Sequence, residues 1–127
     1  MNAEIISVGD ELQRGEITNT NSAFLAKKLN SLGITVASQV TVGDDPTAII
    51  NCVREAQERA EIIFICGGLG PTADDVTLSA VARGVGVMVK TDDQTWHHLL
   101  GIFAQRQIPV QPENKRQAQY IGEVIPN

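Results

Sequence analysis

Between Ile62 and Thr77 an unbroken apolar run, Ile62-Ile63-Phe64-Ile65-Cys66, empties into Gly67-Gly68-Leu69-Gly70-Pro71-Thr72 and then reaches Asp74, Asp75 and Thr77. An apolar stretch of strand length without alternation marks a buried parallel strand, because helices cover both faces of such a sheet. Ligands of open α/β sheets sit outside the carboxyl ends of these strands. Glycines at that place let backbone N–H groups approach a phosphate, and a following helix N-terminus adds partial positive charge. The segment therefore constrains the chain twice, to layered α/β architecture and to an anion-accepting loop.

The rest of the chain repeats the pattern. Ala3 to Val8 reads as a first strand ending in the loop Gly9-Asp10-Glu11. Asn19-Thr20-Asn21 offers N-cap residues for a helix whose apolar face is Phe24, Leu25, Leu29 and Leu32, with Gly33 as its stop. Ile34 to Val42 is a β-branched strand, and Asp45-Pro46 opens a helix striped by Ile49, Val53, Ala56 and Ala60. Glu61 to Cys66 is the strand feeding the glycine loop. A helix starting near Asp74 or Asp75 would pack Leu78, Val81, Ala82 and Val85. Val87 to Val89 reads as a short strand. Thr91 and Gln94 suit a capping box before a helix marked by Trp96, Leu99, Leu100 and Phe103. A last helix is expected from Pro112 to about Tyr120, then a strand fragment from Val124 to Asn127. Strands alternating with helices mean βαβ units, hence one domain over residues 1–127, a three-layer α/β/α sandwich with a mostly parallel sheet.

Composition excludes several function classes. The net charge of −5 and the absence of a Lys/Arg cluster argue against nucleic-acid binding, and five aromatic residues provide no stacking platform. No stretch approaches membrane-spanning length and no basic leader precedes an apolar run, so a cytoplasmic protein without membrane contact is expected. Cys52 and Cys66 lie in apolar patterns without metal-type spacing and read as buried free thiols. His97 and His98 are not in ligand spacing, and Lys115, Arg116 and Gln117 read as a solvated helix face.

Three loops at strand C-termini hold the polar groups of interest. Asp10, Glu11, Asp44, Asp74 and Asp75 are expected to converge there with Asn19 and Asn21. Carboxylates beside a phosphate repel it unless a cation shields them, which points to a hard divalent ion such as Mg²⁺ held by one or two carboxylates and the ligand's phosphate oxygens. Asp45 before Pro46 is read as a helix cap. Of Asp74 and Asp75, one serves the helix start and leaves the other for function. The Walker A ending and the dinucleotide fingerprint are both absent.

Taken in order, Val8-Gly9-Asp10-Glu11-Leu12, Gly15-x-Ile17-x-Asn19-Thr20-Asn21, Val42-Gly43-Asp44, Gly67-Gly68-Leu69-Gly70-Pro71-Thr72-x-Asp74-Asp75-x-Thr77 and Asn114-x-x-Gln117-Ala118 closely resemble the N-terminal, molybdopterin-binding-like domain of the competence/damage-inducible CinA family. The resemblance implies the fold of the molybdenum-cofactor-biosynthesis superfamily and a tendency to form homo-oligomers. It implies cation-dependent hydrolysis of the ADP-ribose pyrophosphate to AMP and ribose 5-phosphate. By position, the superfamily's two functional aspartates fall on Asp44 and Asp75, which the resemblance makes the catalytic and metal-binding pair. Gly67, Gly68, Gly70 and Thr72 match the loop that holds phosphates or a pterin; Asp74, Thr77, Asn19, Asn21 and Glu11 complete the expected ligand site. Members of the family continue past Pro126-Asn127 into a further loop facing the site, and many carry a C-terminal amidohydrolase domain that has no counterpart here. A shortened domain with an open sheet edge is thus expected. The alternatives are a non-catalytic module binding molybdopterin or a nucleotide, and adenylyl transfer to molybdopterin, disfavoured by Leu69 where a polar threonine is expected.

Overall fold

The computed structural model describes residues 1–73 and 75–122. Asp74 and the segment from Val124 to Asn127, expected as a site carboxylate and a strand fragment, lie outside the described residues.

Strand β1 (Asn2–Val8) is the middle of a parallel sheet, flanked by β2 (Thr35–Val42) and β3 (Ile62–Cys66). Every residue of β1 from Ala3 to Val8 is buried. Such a strand needs cover on both faces, and alternate side chains find it on opposite sides. Ala3 and Ile5 pack with Leu29 of α2 (Thr20–Ser31). Ile6 and Val8 pack with Ile49, Val53 and Ala56 of α3 (Pro46–Arg59) and Ala80 of α4 (Thr77–Val85). The three layers are those expected from the alternation of strands and helices.

Polar groups bracket this strand. Near its start Glu4, 1% exposed, accepts two hydrogen bonds from the Arg59 guanidinium at 2.9 and 2.7 Å. Near its end the buried Ser7 hydroxyl accepts from Asn19 Nδ2 at 2.8 Å. Asn19 is also the N-cap of α2, its side-chain oxygen accepting from Ser22 N.

Several local expectations are corrected. Gly9-Asp10-Glu11 is not a plain loop, because Asp10–Gln13 forms one helical turn, α1. Phe24 on α2 and Leu32 at its C-cap are 67% and 66% exposed, since the three strands of the sheet among the described residues accept one stripe, supplied by Leu25 and Leu29. Phe24 lies about 100° around the helix from Leu25. Helix α4 starts at Thr77 and buries Thr77, Ala80 and Ala82, while Val85 is exposed. Small residues let α4 approach α3 closely: a Cβ added to Gly84 would already touch Val53. The cap of α5 (Asp93–Gln105) is Asp92 rather than Thr91, and a capping box occurs instead at Gln111 and Asn114. Residues Pro112–Ala118 form a 3₁₀ helix that ends in strand β5 (Gln119–Ile121). Strand β4 (Val89–Thr91) pairs with β5 antiparallel, outside the main sheet. No residue of α5 is fully buried, and Trp96, a core residue by its apolar period, is half-buried. Cys52 and Cys66 are free, as expected, but half-buried. Strand β3, expected to be covered on both faces, is half-buried throughout because β1 is its one strand partner among the described residues.

Gly67, directly after β3, is held against the end of β1. Its φ of +95° is the left-handed region, and an added Cβ would overlap the Val8 carbonyl. Gly33 has φ of +77° with open space around it. Gly33→Ala is therefore expected to cost about 1 kcal/mol. Gly67→Ala is expected to cost at least ~3 kcal/mol, as backbone strain and overlap add. Urea denaturation of the two variants compares them; equal losses would mean that the Gly67–Val8 approach carries no weight.

Candidate functional site

Because β1, β2 and β3 are parallel, the loops that follow them open on one edge of the sheet. The first two are stitched together. Gly9 N donates to the Val42 carbonyl at 2.9 Å. Asp10 N donates to Asp44 Oδ2 at 3.1 Å, and Asp44 N donates to Asp10 Oδ1 at 2.8 Å. Each carboxylate thus caps the other's backbone. The remaining oxygens, Asp10 Oδ2 and Asp44 Oδ1, make no hydrogen bond to a described residue.

The third loop is built around Thr77, which is 2% exposed. Its hydroxyl donates to the Gly67 carbonyl at 2.7 Å and its N–H to the Gly68 carbonyl at 3.2 Å. Thr77 therefore lies under the glycine loop and fastens it to the first turn of α4. With those carbonyls engaged, the N–H groups of Gly68 and Leu69 have no hydrogen-bond partner among the described residues. Farther along, Asp75 N donates to the Thr72 carbonyl at 3.1 Å, while Asp75 Oδ2 accepts from the Thr72 hydroxyl at 2.6 Å and Thr72 N at 3.0 Å. The Thr72 hydroxyl holds the Asp75 carboxyl below its ordinary range, against a smaller opposing effect of burial; the Thr72 and Gly70 N–H groups and the charge of Arg116 add to it.

Arg116 was not among the residues picked out by sequence. It arrives from the 3₁₀ helix, and its Nη1 donates to the Thr72 carbonyl at 2.6 Å. No local pattern signals this, because the partners lie 44 residues apart. The solvated helix face expected for Lys115, Arg116 and Gln117 is corrected to this extent: Arg116 is exposed yet bound to the loop, and Gln117 lines the same cavity.

Two cavities flank the glycine loop. The larger, about 640 Å³, lies between the loop and the β4–β5 strands, and Gly68, Gly70, Asp75, Arg116 and Tyr120 line it. The smaller, about 210 Å³, is lined by Glu11, Asn19, Asn21, Gly67 and Gly68. The expected site residues are thus divided between two cavities that share Gly68. Asp44 lines neither and sits with Asp10. Thr72 is exposed and shapes the loop through Asp75. Among the described residues no three His, Cys, Asp or Glu side chains are grouped as a metal cage. The unbonded oxygens of Asp10 and Asp44 are the donor type that a hard divalent ion takes. No described helix is long and apolar enough to cross a membrane.

The family model described as "Probable molybdopterin binding domain" matches residues 4–118. A protein of Limosilactobacillus reuteri described as "Putative competence-damage inducible protein" is 48% identical over 129 residues, covering 100% of this chain and 31% of that protein. Its counterpart from Lysinibacillus sphaericus is 40% identical with the same coverage. The chain spans about a third of the length of these curated relatives. Among solved structures, the protein CinA of Thermoplasma acidophilum, its function described as unknown, is similar with a TM-score of 0.82 at 31% identity, over 94% of this chain and 70% of that one. The molybdopterin biosynthesis enzyme MoaB of Thermus thermophilus is similar with a TM-score of 0.62 at 27% identity, over 65% of this chain and 53% of that one.

Asp75 has a depressed carboxyl pKa in the folded chain, so its contribution is present above the ordinary value of 3.8 and is lost as pH falls through the lower folded value. Thr72→Val removes the principal cause. NMR titration of the Asp75 carboxyl is expected to show its midpoint rising toward 3.8 in that variant. An unchanged midpoint would mean that Thr72 does not lower the Asp75 pKa.

Proposed function

This chain belongs to the molybdopterin-binding domain family, in the branch that contains CinA, and on that footing we propose that it hydrolyses the pyrophosphate of ADP-ribose with the help of a divalent cation. The observation carrying this reading is the shared sheet edge: unpartnered N–H groups at Gly68 and Leu69 lie on the same edge as the Asp10–Asp44 carboxylate pair and Asp75. The substrate class comes from the family resemblance carried by the ordered motifs. In this reading Asp44 and Asp75 hold or orient the cation, and Asp10 fixes Asp44. When bound, such an ion polarises phosphoryl oxygens and acidifies a water.

The chain's own groups supply the rest. Gly68 and Leu69 N–H groups meet the negative charge that develops on phosphate. Asp75 is a carboxylate at neutral pH with or without Thr72, and the hydrogen bonds from Thr72 fix its orientation as an acceptor. Water adds to one phosphorus, the bridging P–O bond breaks, and AMP and ribose 5-phosphate leave. Self-association is part of the same proposal, supported by Phe24 standing exposed on α2 and Leu32 at its C-cap.

A second reading is a binding module for molybdopterin or a nucleotide, without turnover. It is favoured by the matching family model, whose description names molybdopterin binding and no reaction. Asp44→Asn and Asp75→Asn test the first reading. Each is expected to lower Mg²⁺-dependent AMP release by roughly 10- to 100-fold while circular dichroism stays unchanged. Binding of ADP-ribose without any AMP release by the unaltered chain would instead establish the module.

A further inference from the structure

At the site edge the cation of the first loop, Arg14, is paired with Glu16, and the three strand loops carry the carboxylates Asp10, Glu11, Asp44 and Asp75. A phosphate entering there meets repulsion from every one of them. Arg116 is the cation that the tertiary structure adds to this wall. Its Nη1 is fixed by the Thr72 carbonyl at 2.6 Å, and its side chain lines the larger cavity together with Gly68, Gly70 and Asp75. That hydrogen bond uses one of five guanidinium donors, and the structure gives Arg116 no other bond among the described residues. A guanidinium anchored at one corner keeps a planar face of donors matched to phosphate oxygens in pairs.

We propose that Arg116 is the phosphate-binding residue of the larger cavity, reaching from the 3₁₀ helix to a phosphate or pyrophosphate group held over the glycine loop. The proposal rests on the reading of that loop as a phosphate site, and it depends neither on ADP-ribose as substrate nor on turnover. It goes beyond the loop itself, because Arg116 belongs to the part of the chain that carries β4, α5 and β5. A phosphate bound between Arg116 and the loop ties that part to the parallel sheet. Binding therefore stabilises the folded chain, by an amount that grows with the logarithm of ligand concentration above Kd.

Inorganic pyrophosphate, with and without Mg²⁺, is the probe, followed by calorimetry and by the shift in unfolding temperature. The unaltered chain is expected to bind it and to melt higher in its presence. Arg116→Met is expected to weaken binding roughly tenfold or more, as loss of charge-assisted hydrogen bonds does, and to shrink the thermal shift. Arg116→Lys, which keeps the charge and loses the fork, is expected to fall between the two and serves if the methionine variant does not fold. Equal affinity of Arg116→Met and the unaltered chain, or no binding of pyrophosphate by the unaltered chain, would overturn the assignment. If pyrophosphate binds through Arg116 while ADP-ribose releases no AMP, hydrolysis fails as a function and the Arg116 assignment stands.

Discussion

The burial of β1 on both faces is the constraint on which the rest of this structure depends. A strand with Ile5 and Ile6 fully enclosed must have helices above and below, and β2 and β3 lie parallel to it on either side. Parallel neighbours require crossovers, and crossovers send the loops after β1, β2 and β3 to one edge. The shared edge then assembles acidic and glycine-rich segments that are far apart in the chain. The polar residues of β1 sit where they do not break this arrangement: Glu4 is paired with Arg59 toward one end and Ser7 with Asn19 toward the other.

At that edge most of the notable side chains hold backbone, not solvent. Asp10 and Asp44 cap each other, Thr77 fastens the Gly67 and Gly68 carbonyls, Asp75 closes the turn at Thr72, and Asn19 caps α2 while gripping Ser7. The physical consequence is preorganisation. Carbonyls that would repel an anion are engaged by hydroxyls and amides, while N–H groups of the glycine loop remain available. Asp10 and Asp44 each keep one carboxylate oxygen without a bond to a described residue.

Much of the fold was legible in sequence because period and punctuation report local physics. The β-branched strand at Thr35–Val42, the Pro46 helix start and the Gly33 stop stand within a residue or two of expectation. The failures have a common cause. Phe24 and Val85 satisfy a helical apolar period yet stay exposed, because how much of a helix is covered depends on the width of the sheet beneath it. The unbroken apolar run at β3 promised burial on both faces, but a strand's burial depends on its neighbours, and the described residues give it one. The cap moved from Thr91 to Asp92 because neighbouring polar residues compete for the same amides.

For the site, sequence alone determined the glycine loop, the acidic loop ends and the family to which they belong, since these are encoded by residue type and spacing within short segments. Tertiary structure alone decided their mutual positions. It divided the expected residues between two cavities around Gly68, paired Asp44 with Asp10, and set Thr77 beneath the loop. It also brought Arg116 across 44 residues to the Thr72 carbonyl. A pattern of apolar residues encodes which face is buried, whereas a hydrogen bond between distant segments exists only after the sheet and its crossovers have fixed where those segments meet.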